Sequence, residues 1–582
     1  MRTLTASDYL VEFLIANGVR DVWGYQGGMI AYVFDSLGCY RDQIRYHSCG
    51  SEQGAALAAC ADAQATGRLG VAISTSGPGF TNLLTGMADA WFDSLPVLFI
   101  SGNVNTKDKR RQSGFRQNGF QEIQATPMAA PVTKMSVEVE LDMDFAARLD
   151  EAVCMALGHR RGPVFLDLPI NICRETVEFC EIGRYAEPVP EPFDASPIID
   201  ELIAAARPIV IAGAGIKQAG VVDEFRELVH TLGVPVATTM PAIDLLPSDD
   251  ALMMGYIGGT ARREAGIALQ NADFVLSMGT RLCSKQVGHN MALFAPEATG
   301  FVRVDVDTTE FERRLKSCER DVCADLRAFV PSALTHARIL DGVKCRPAWT
   351  AACIEVKSAL EGSDITPVNE AFKVITRTLP EEANLIFDVG KNLNYGCQSS
   401  MVKKGMHVFM SAGLGTMGYA IPAAMGAWAG NGLPTFAFTG DGGAQMNIQE
   451  LNTIAKEGMP IKIVVFNNHA LGNIRIFQEN YLGSRFVATM EAEGDYHSCD
   501  LAAIARAYGI RAYDLADVSD FGDYGSVLTD GEPALFQINY EDCAVLPGIV
   551  AGGDYLGKGS GLDQTARGRA IEAMKGAHYE AR

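Results

Sequence analysis

The sequence contains no Cys-x-x-Cys pair, although it carries 14 cysteines. That absence removes the usual signatures of structural zinc and dithiol chemistry. Scattered thiols such as Cys39, Cys49, Cys60 and Cys154 fit a reducing cytoplasm better than a disulfide framework. No stretch reaches the roughly 18 uninterrupted apolar residues of a membrane span. The opening segment MRTLTASDYLVEFLIANGV reads as an amphipathic helix capped near Ser7 rather than as a signal peptide. An excess of positive charge is missing too. With 49 basic and 70 acidic residues the net charge is −21, which argues against binding nucleic-acid phosphates by bulk charge. The expectation is a soluble cytoplasmic protein, with neither nucleic acid nor membrane as partner.

What is present is a long, ordinary globular composition, 48% hydrophobic and 20% charged over 582 residues. A chain of that length exceeds one core and divides into several units. Short apolar runs alternate with helical patterns almost throughout, as in GVAISTSGPGFTNLLTGMADAWFDSLPVLFIS (70–101), where strand, Gly/Pro loop, helix and strand follow one another. This is the signature of a parallel α/β sheet. Proline-bearing or polar stretches at 185–197 and 360–367 read as linkers. They divide the chain into three doubly wound α/β domains at 1–182, 198–345 and 366–545, followed by a tail, 546–582. The first and third blocks look alike in pattern. The tail is Gly-rich, reads as flexible, and ends in a polar helix near 563–579.

Two glycine-rich turns invite a ligand. RPIVIAGAGIKQAG (207–220) runs a strand into Gly213-Ala214-Gly215, a turn that suits either a dinucleotide phosphate or tight strand-to-helix packing; the full GxGxxG pattern is not met. The second turn lies in LPTFAFTGDGGAQMNIQELNTIAKEGMPIKIVVFNNHALG (433–472). There a strand ends in Gly440-Asp441-Gly442-Gly443, a helix is expected from about Asn447 to Lys456, and a second strand ends at Asn467-Asn468. Parallel-sheet geometry brings the loops at Asp441 and Asn468 together. Asp, Asn and a nearby carbonyl are hard oxygen ligands suited to Mg²⁺, with phosphate and water in its remaining positions. Gly442 and Gly443 let the backbone approach that phosphate at a helix N-terminus.

A third feature is HSCGSEQGAALAACADA (47–63), where Glu52 opens a helix of small residues. Taken alone, Glu52 is a first-turn acid stabilised by the helix dipole.

GDG with Asn468 following Asp441 by 27 residues resembles the thiamine-diphosphate motif, and GDGGAQMNIQEL is similar to the acetohydroxyacid (acetolactate) synthase branch of that superfamily. The similarity covers nearly the whole chain. It includes VWGYQGGMI (22–30), SGPGFTNLLTGMADAWFDSLPVLFISG (76–102), GFQEI (119–123), VTK (132–134) and SAGLGTMGYAIPAAMGA (411–427). The resemblance implies a pyrimidine-binding, a central and a diphosphate-binding domain. It also implies an enzyme that decarboxylates pyruvate or a similar 2-keto acid and passes the acyl unit to a carbonyl acceptor. Glu52 would hydrogen-bond the aminopyrimidine of thiamine diphosphate, its burial among small residues suiting it to proton sharing. Asp441, Asn468 and the Ala470 carbonyl would hold Mg²⁺. Met417 would bend the cofactor, with Gly415 beside it. Gly27, Gly28, Gly390, Lys391, Asn392, Gly440, Gly442, Gly443, Leu471 and Gly472 would line it. Phe120 and Gln121, with Lys134 further off, would border the reaction pocket. In this family the two halves of the site meet across subunits, which implies a homodimer or homotetramer.

The sequence also departs from the family. Phe477 in GNIRIFQ (472–478) stands where tryptophan is typical, Gly443 replaces serine, Gln26 replaces proline, and Lys391-Asn392 replace Gln-His. The differences gather around substrate and acceptor. In the middle block MGTRLCSKQVG (278–288) keeps Arg281 of a flavin-facing segment but not its FDDR, so FAD against Gly213, Gly215 and Arg281 is one expectation and no flavin the other. Keto-sugar carboligases carry a similar GxRLxxxQV pattern. Simple decarboxylase and pyruvate-oxidase-like chemistries are further alternatives, although the paired histidines of pyruvate decarboxylases are absent. A non-catalytic nucleotide-binding protein is the other class, and the joint presence of Glu52, Asp441, Asn468 and Met417 weighs against it.

Overall fold

The computed structural model describes residues 1–109, 114–288, 290–362, 366–516, 518–540 and 564–575. Its strands fall into three six-stranded sheets and one small ribbon. The ribbon pairs β1 (Arg2–Thr5) with β8 (Thr176–Phe179) in antiparallel register. The first sheet comprises β2 (Asp21–Gly24), β3 (Arg45–Ser48), β4 (Gly70–Ser74), β5 (Val97–Asn103), β6 (Met135–Glu138) and β7 (Val164–Pro169), in the order β3-β2-β4-β5-β7-β6, all parallel.

The second sheet holds β9 (Pro208–Ala212), β10 (Val236–Thr238), β11 (Met253–Tyr256), β12 (Phe274–Met278), β13 (Gly300–Asp305) and β14 (Glu319–Cys323). Its order, β11-β10-β9-β12-β13-β14, reverses direction between β9 and β12, as in doubly wound dinucleotide folds. The third sheet holds β15 (Glu382–Phe387), β16 (Gly405–Phe409), β17 (Thr435–Gly440), β18 (Ile461–Asn467), β19 (Arg511–Leu515) and β20 (Ala534–Asn539), ordered β16-β15-β17-β18-β20-β19. Taken in chain order, the first and third sheets have the same topology, so the likeness of pattern between those blocks is a likeness of fold.

These three sheets form two compact units. One spans Met1–Pro188, Ala383–Asn392 and Phe409–Tyr540; the other spans Val189–Glu382, Leu393–Val408 and Glu541–Arg582. In the first unit the helix Glu52–Thr66 explains the small residues after Glu52. Ser51 caps it by accepting from the Gly54 amide at 3.0 Å, and Gly67, at φ 66°, ends it in the left-handed region. Its alanines share one core with Ala420, Ile421, Ala423, Ala424 and Met425 of the helix Ala420–Asn431. A Cβ on Gly426 would lie 1.9 Å from the Ala58 carbonyl oxygen, so the helices touch backbone to backbone. The small residues therefore serve close helix packing. Burying these alanines adds hydrophobic stabilisation of roughly 25 cal/mol per Å² of apolar surface.

Three local expectations change. The first helix is Ala6–Ala16, and its cap is Thr5, which accepts from the Asp8 amide, rather than Ser7. The helix expected from about Asn447 to Lys456 runs Glu450–Glu457, and a further short helix, Asp441–Met446, precedes it. The two are separated at Asn447, whose side-chain amide donates to the Gly418 carbonyl at 2.9 Å. The last helix, Gln564–Lys575, is not simply polar. Ala566, Ala570, Ala573 and Met574 recur at helical spacing and pack with Trp349, Cys353 and Val356 in the second unit. The Gly-rich part of the tail lies outside the described residues.

Candidate active site

The first group of site residues gathers at the carboxyl ends of β2 and β4, where a parallel sheet presents its loops. Glu52 is half-buried rather than sealed among its small neighbours, because it sits at the exposed mouth of its helix. Asn82 donates to Glu52 Oε2 at 3.0 Å. A Cβ on Gly79 would lie 3.4 Å from Glu52 Oε1, so the start of the helix Pro78–Asp93 faces the acid. Gln121 is held at φ 64°, an unfavourable region for a side-chain-bearing residue, and its Cβ packs against Gly77. Gly27 lies against Thr75, which also borders Gly79, while Gly28 is open to solvent. Phe120 is 80% exposed, a large apolar side chain beside this group. Lys134 stands apart: its ammonium donates to the carbonyls of Gly158 and Arg160, just past the helix Phe145–Leu157, where a cation suits the helix dipole.

The second group surrounds Gly442. Here a Cβ would lie 2.7 Å from Met417 Cε, 2.7 Å from Leu471 Cδ2 and 3.3 Å from Tyr496 Oη, so only glycine leaves room for their convergence. Asp441 is buried, and burial raises its carboxyl above the ordinary range. Tyr496 donates to Asp441 Oδ2 at 2.9 Å. β17 and β18 are neighbours with Gly440 opposite Phe466, which sets Asp441 and Asn468 on adjacent strand ends. His469, at φ 54°, turns the chain sharply after Asn468.

Ala470 then pairs antiparallel with Met490. The flanking bonds are Leu471 N to Thr489 O (2.9 Å) and Glu491 N to His469 O (3.1 Å). In that pattern the Ala470 carbonyl points away from the 488–498 strap and is left to other partners. One carboxylate, one amide and one carbonyl are a donor set that fits a hard divalent cation. Among the described residues no three His, Cys, Asp or Glu side chains cluster as a softer metal would need.

Around this group the backbone is fixed by carboxylates that sequence reasoning did not single out. Asp388 accepts from the amides of Val389 (2.8 Å) and Gly418 (2.9 Å) and from Thr439 Oγ1 (2.9 Å), and burial pushes it up to about 6. It thereby ties the 388–390 turn, the Met417 loop and the end of β17 together. Gly443 is required here, since a Cβ would sit 2.9 Å from Asp388 Oδ2. Gly390 and Gly415, at φ 99° and 74°, supply the left-handed turns of the same loops. Asp93 receives the amides of Ala412 and Gly413, both at 2.8 Å, holding the start of the Met417 loop. Lys391 is buried with its stem against Gly472, and the Asn392 amide lies close to Gly440.

Glu450 links the groups. Burial pushes its carboxyl up to about 7, and it accepts from the amides of Gly50 (2.8 Å) and Ser51 (3.0 Å), the entry to the Glu52 helix. A second path runs from Ser51 through Gln449 to Asn447 and on to Gly418, beside Met417. The signal for Glu450 was its place directly after the GDG segment; its backbone partners, some 400 residues away, had none.

The Gly213–Gly215 turn in the other unit is different. A Cβ on Gly213 would lie 2.0 Å from the Gly279 carbonyl oxygen, and Gly213 N and Gly215 N donate to Met278 O and Gly279 O. Two glycine turns fill each other's space, with both amides bonded to main-chain carbonyls, an arrangement of tight packing. Arg281 is half-buried close by in sequence, with its carbonyl accepting from Arg313.

Together, three doubly wound domains with an acid at one strand end and a GDG…N loop at another define the class of thiamine-dependent enzymes. Family models match in three places. They are the N-terminal TPP binding domain of thiamine pyrophosphate enzymes over 4–128, the central domain over 196–332 and the C-terminal TPP binding domain over 388–536. The chain belongs to the thiamine pyrophosphate enzymes, in their acetolactate synthase-like branch. The acetolactate synthase large subunit of Lactococcus lactis is 31% identical over 565 residues, covering 94% of this chain and 95% of that protein. The isozyme 2 large subunit of Escherichia coli is 30% identical over 518 residues (87% and 90%), and the chloroplastic acetolactate synthase 1 of rice is 31% identical over 529 (87% and 80%).

Proposed function

We propose that the protein is a thiamine-diphosphate- and Mg²⁺-dependent carboligase that decarboxylates pyruvate or a similar 2-keto acid and transfers the acyl unit to a carbonyl acceptor. The observation that carries this reading is the convergence of Met417, Leu471 and Tyr496 on Gly442 beside Asp441. Bound thiamine diphosphate supplies an electron sink for the electrons left when CO₂ departs. The chain's own residues do the rest. Glu52, oriented by Asn82 and by the Glu450-anchored start of its helix, holds a proton at the aminopyrimidine edge. Asp441, Asn468 and the Ala470 carbonyl hold Mg²⁺, and Lys391, Asn392 and Gly440 border the diphosphate. Met417 would lie against the bound cofactor, with Gly415 beside it. Phe120 and Gln121 border the substrate.

In this reading residues 1–182 are the pyrimidine domain, 198–345 the central domain and 366–545 the diphosphate domain. The enzyme works in the cytoplasm as a homodimer or homotetramer. Free thiols at every described cysteine support the reducing compartment. No helix among the described residues is long and apolar enough to cross a membrane. The amides of Gly213 and Gly215 are bonded to main-chain carbonyls, which speaks against flavin there, and a yellow colour in the purified protein would show that FAD is bound. Phe477, 53% exposed on the helix Gly472–Tyr481, favours an acceptor other than that of the tryptophan-bearing enzymes.

Product analysis with pyruvate, thiamine diphosphate, Mg²⁺ and a panel of aldehydes, ketones and keto sugars tests the proposal. Acetolactate or a branched keto-sugar product supports carboligation, acetaldehyde or peroxide points to the decarboxylase or oxidase variants, and no CO₂ from any 2-keto acid contradicts the reading.

A further inference from the structure

We propose that Tyr496 is a positioning residue that limits Asp441 to one coordinating oxygen and thereby selects Mg²⁺ over Ca²⁺. The inference rests on the reading of Asp441 as a metal ligand. Tyr496 donates to Oδ2 at 2.9 Å, which leaves Oδ1 as the oxygen offered to a cation. A phenol has a single proton to give, so the contact fixes the carboxylate's rotation as well as occupying one oxygen.

Tyr496 itself is held in place by the strap that carries it. Thr489 O and the Glu491 amide pair with residues 471 and 469, Thr489 Oγ1 donates to Gln478 Oε1 at 2.6 Å, and Ser498 Oγ donates to Asn467 Oδ1 at 2.8 Å. Both ends of the strap are thus fastened to the segment that supplies Asn468 and Ala470. The hydroxyl is registered against all three expected ligands.

The consequence is a matter of coordination chemistry. One oxygen each from Asp441, Asn468 and Ala470 leaves half of an octahedron for phosphate and water, which suits Mg²⁺. Ca²⁺ takes six to eight oxygens and gains from a bidentate carboxylate. The Tyr496 hydrogen bond takes one lone pair of Oδ2 and fixes the carboxylate's rotation, which works against that bidentate mode.

The test is Tyr496→Phe in the full chain, with Mg²⁺ and Ca²⁺ titrated separately at fixed thiamine diphosphate. Calorimetric heat of cofactor binding is the readout, so no turnover is needed. The expected result is about tenfold weaker Mg²⁺ dependence, in the range of ligand-orienting contacts, with a smaller loss for Ca²⁺, so that the preference moves toward Ca²⁺. Ser498→Ala loosens the strap without touching Asp441, and it should weaken both cations alike and leave the ratio unchanged. An unchanged ratio in Tyr496→Phe, or the same shift in Ser498→Ala, overturns the inference. Asp441→Ala separates the two levels. If it abolishes the cation dependence while Tyr496→Phe leaves the ratio unmoved, only the inference fails. If it changes neither titration, the metal-ligand reading fails with it.

Discussion

Two glycine turns, each at the carboxyl end of a parallel strand, have opposite surroundings. At Gly213–Gly215 the space a side chain would fill is occupied by the backbone of Gly279, and the amides are bonded to main-chain carbonyls. At Gly442 it is occupied by the ends of flexible or polar side chains, Met417, Leu471 and Tyr496, next to a buried carboxylate. A glycine-rich turn therefore says only that something comes close. What comes close decides between packing and binding.

The comparison can be broken most sharply from the chemical side. Asp441→Ala is expected to lower CO₂ release from the 2-keto acid by more than about 100-fold, beyond the usual loss for an orienting contact. The melting temperature of the cofactor-free protein should hardly change. Activity within tenfold of the parent would mean that the second turn is no more a ligand site than the first.

Alanine at each turn sharpens the contrast. Gly213→Ala drives a Cβ into backbone and should cost about 1–3 kcal/mol of stability, read as a lower denaturation midpoint. Its activity per folded molecule should be unchanged. Gly442→Ala meets only side-chain ends that can move, so its stability should fall by less, while cofactor affinity falls because Met417 and Tyr496 are displaced.

The smallest effect concerns the joint within the first unit. His47 stacks on Trp23 and bonds Asp21 (2.8 Å) and Glu457 (2.6 Å) through its two ring nitrogens. Arg45 also bonds Asp21, and Asp62 receives the Trp23 ring N–H, so the charged groups around the ring come from several elements. Burial alone would lower the imidazole's pKa, but the two carboxylates outweigh it and raise it. A group raised on folding stabilises fully below its unfolded value, near pH 6.5, and loses that contribution as pH climbs through the folded one. His47→Gln should therefore destabilise by about 1–2 kcal/mol at low pH, with the gap to the parent narrowing as pH rises. Chemical denaturation across pH reads it, and a gap that widens with pH would contradict the assignment.

Much of this was legible in the sequence because it is local. Strand–loop–helix alternation gave the three sheets, and spacing placed Asp441 and Asn468 on adjacent strand ends. The short helix before Asn447 and the break there were invisible, because the bond from the Asn447 side chain to Gly418 is a tertiary one. Glu52 opens its helix as its position implied, yet its half-exposure depended on what faces it. Tyr496, Asp388 and Glu450 were missed for a shared reason: each acts on a segment far away in sequence, and a lone tyrosine or acid carries no mark of that partner. The Gly213 turn was ambiguous until Gly279 was seen opposite it.

Thiamine diphosphate should bind beside Gly442 and not beside Gly213. Its affinity should be measured calorimetrically with Mg²⁺ in the parent, Gly213→Ala and Gly442→Ala proteins, normalised to folded protein. Equal binding by the first two and at least about tenfold weaker binding by Gly442→Ala is the predicted result. Retained affinity in Gly442→Ala together with loss in Gly213→Ala would contradict it.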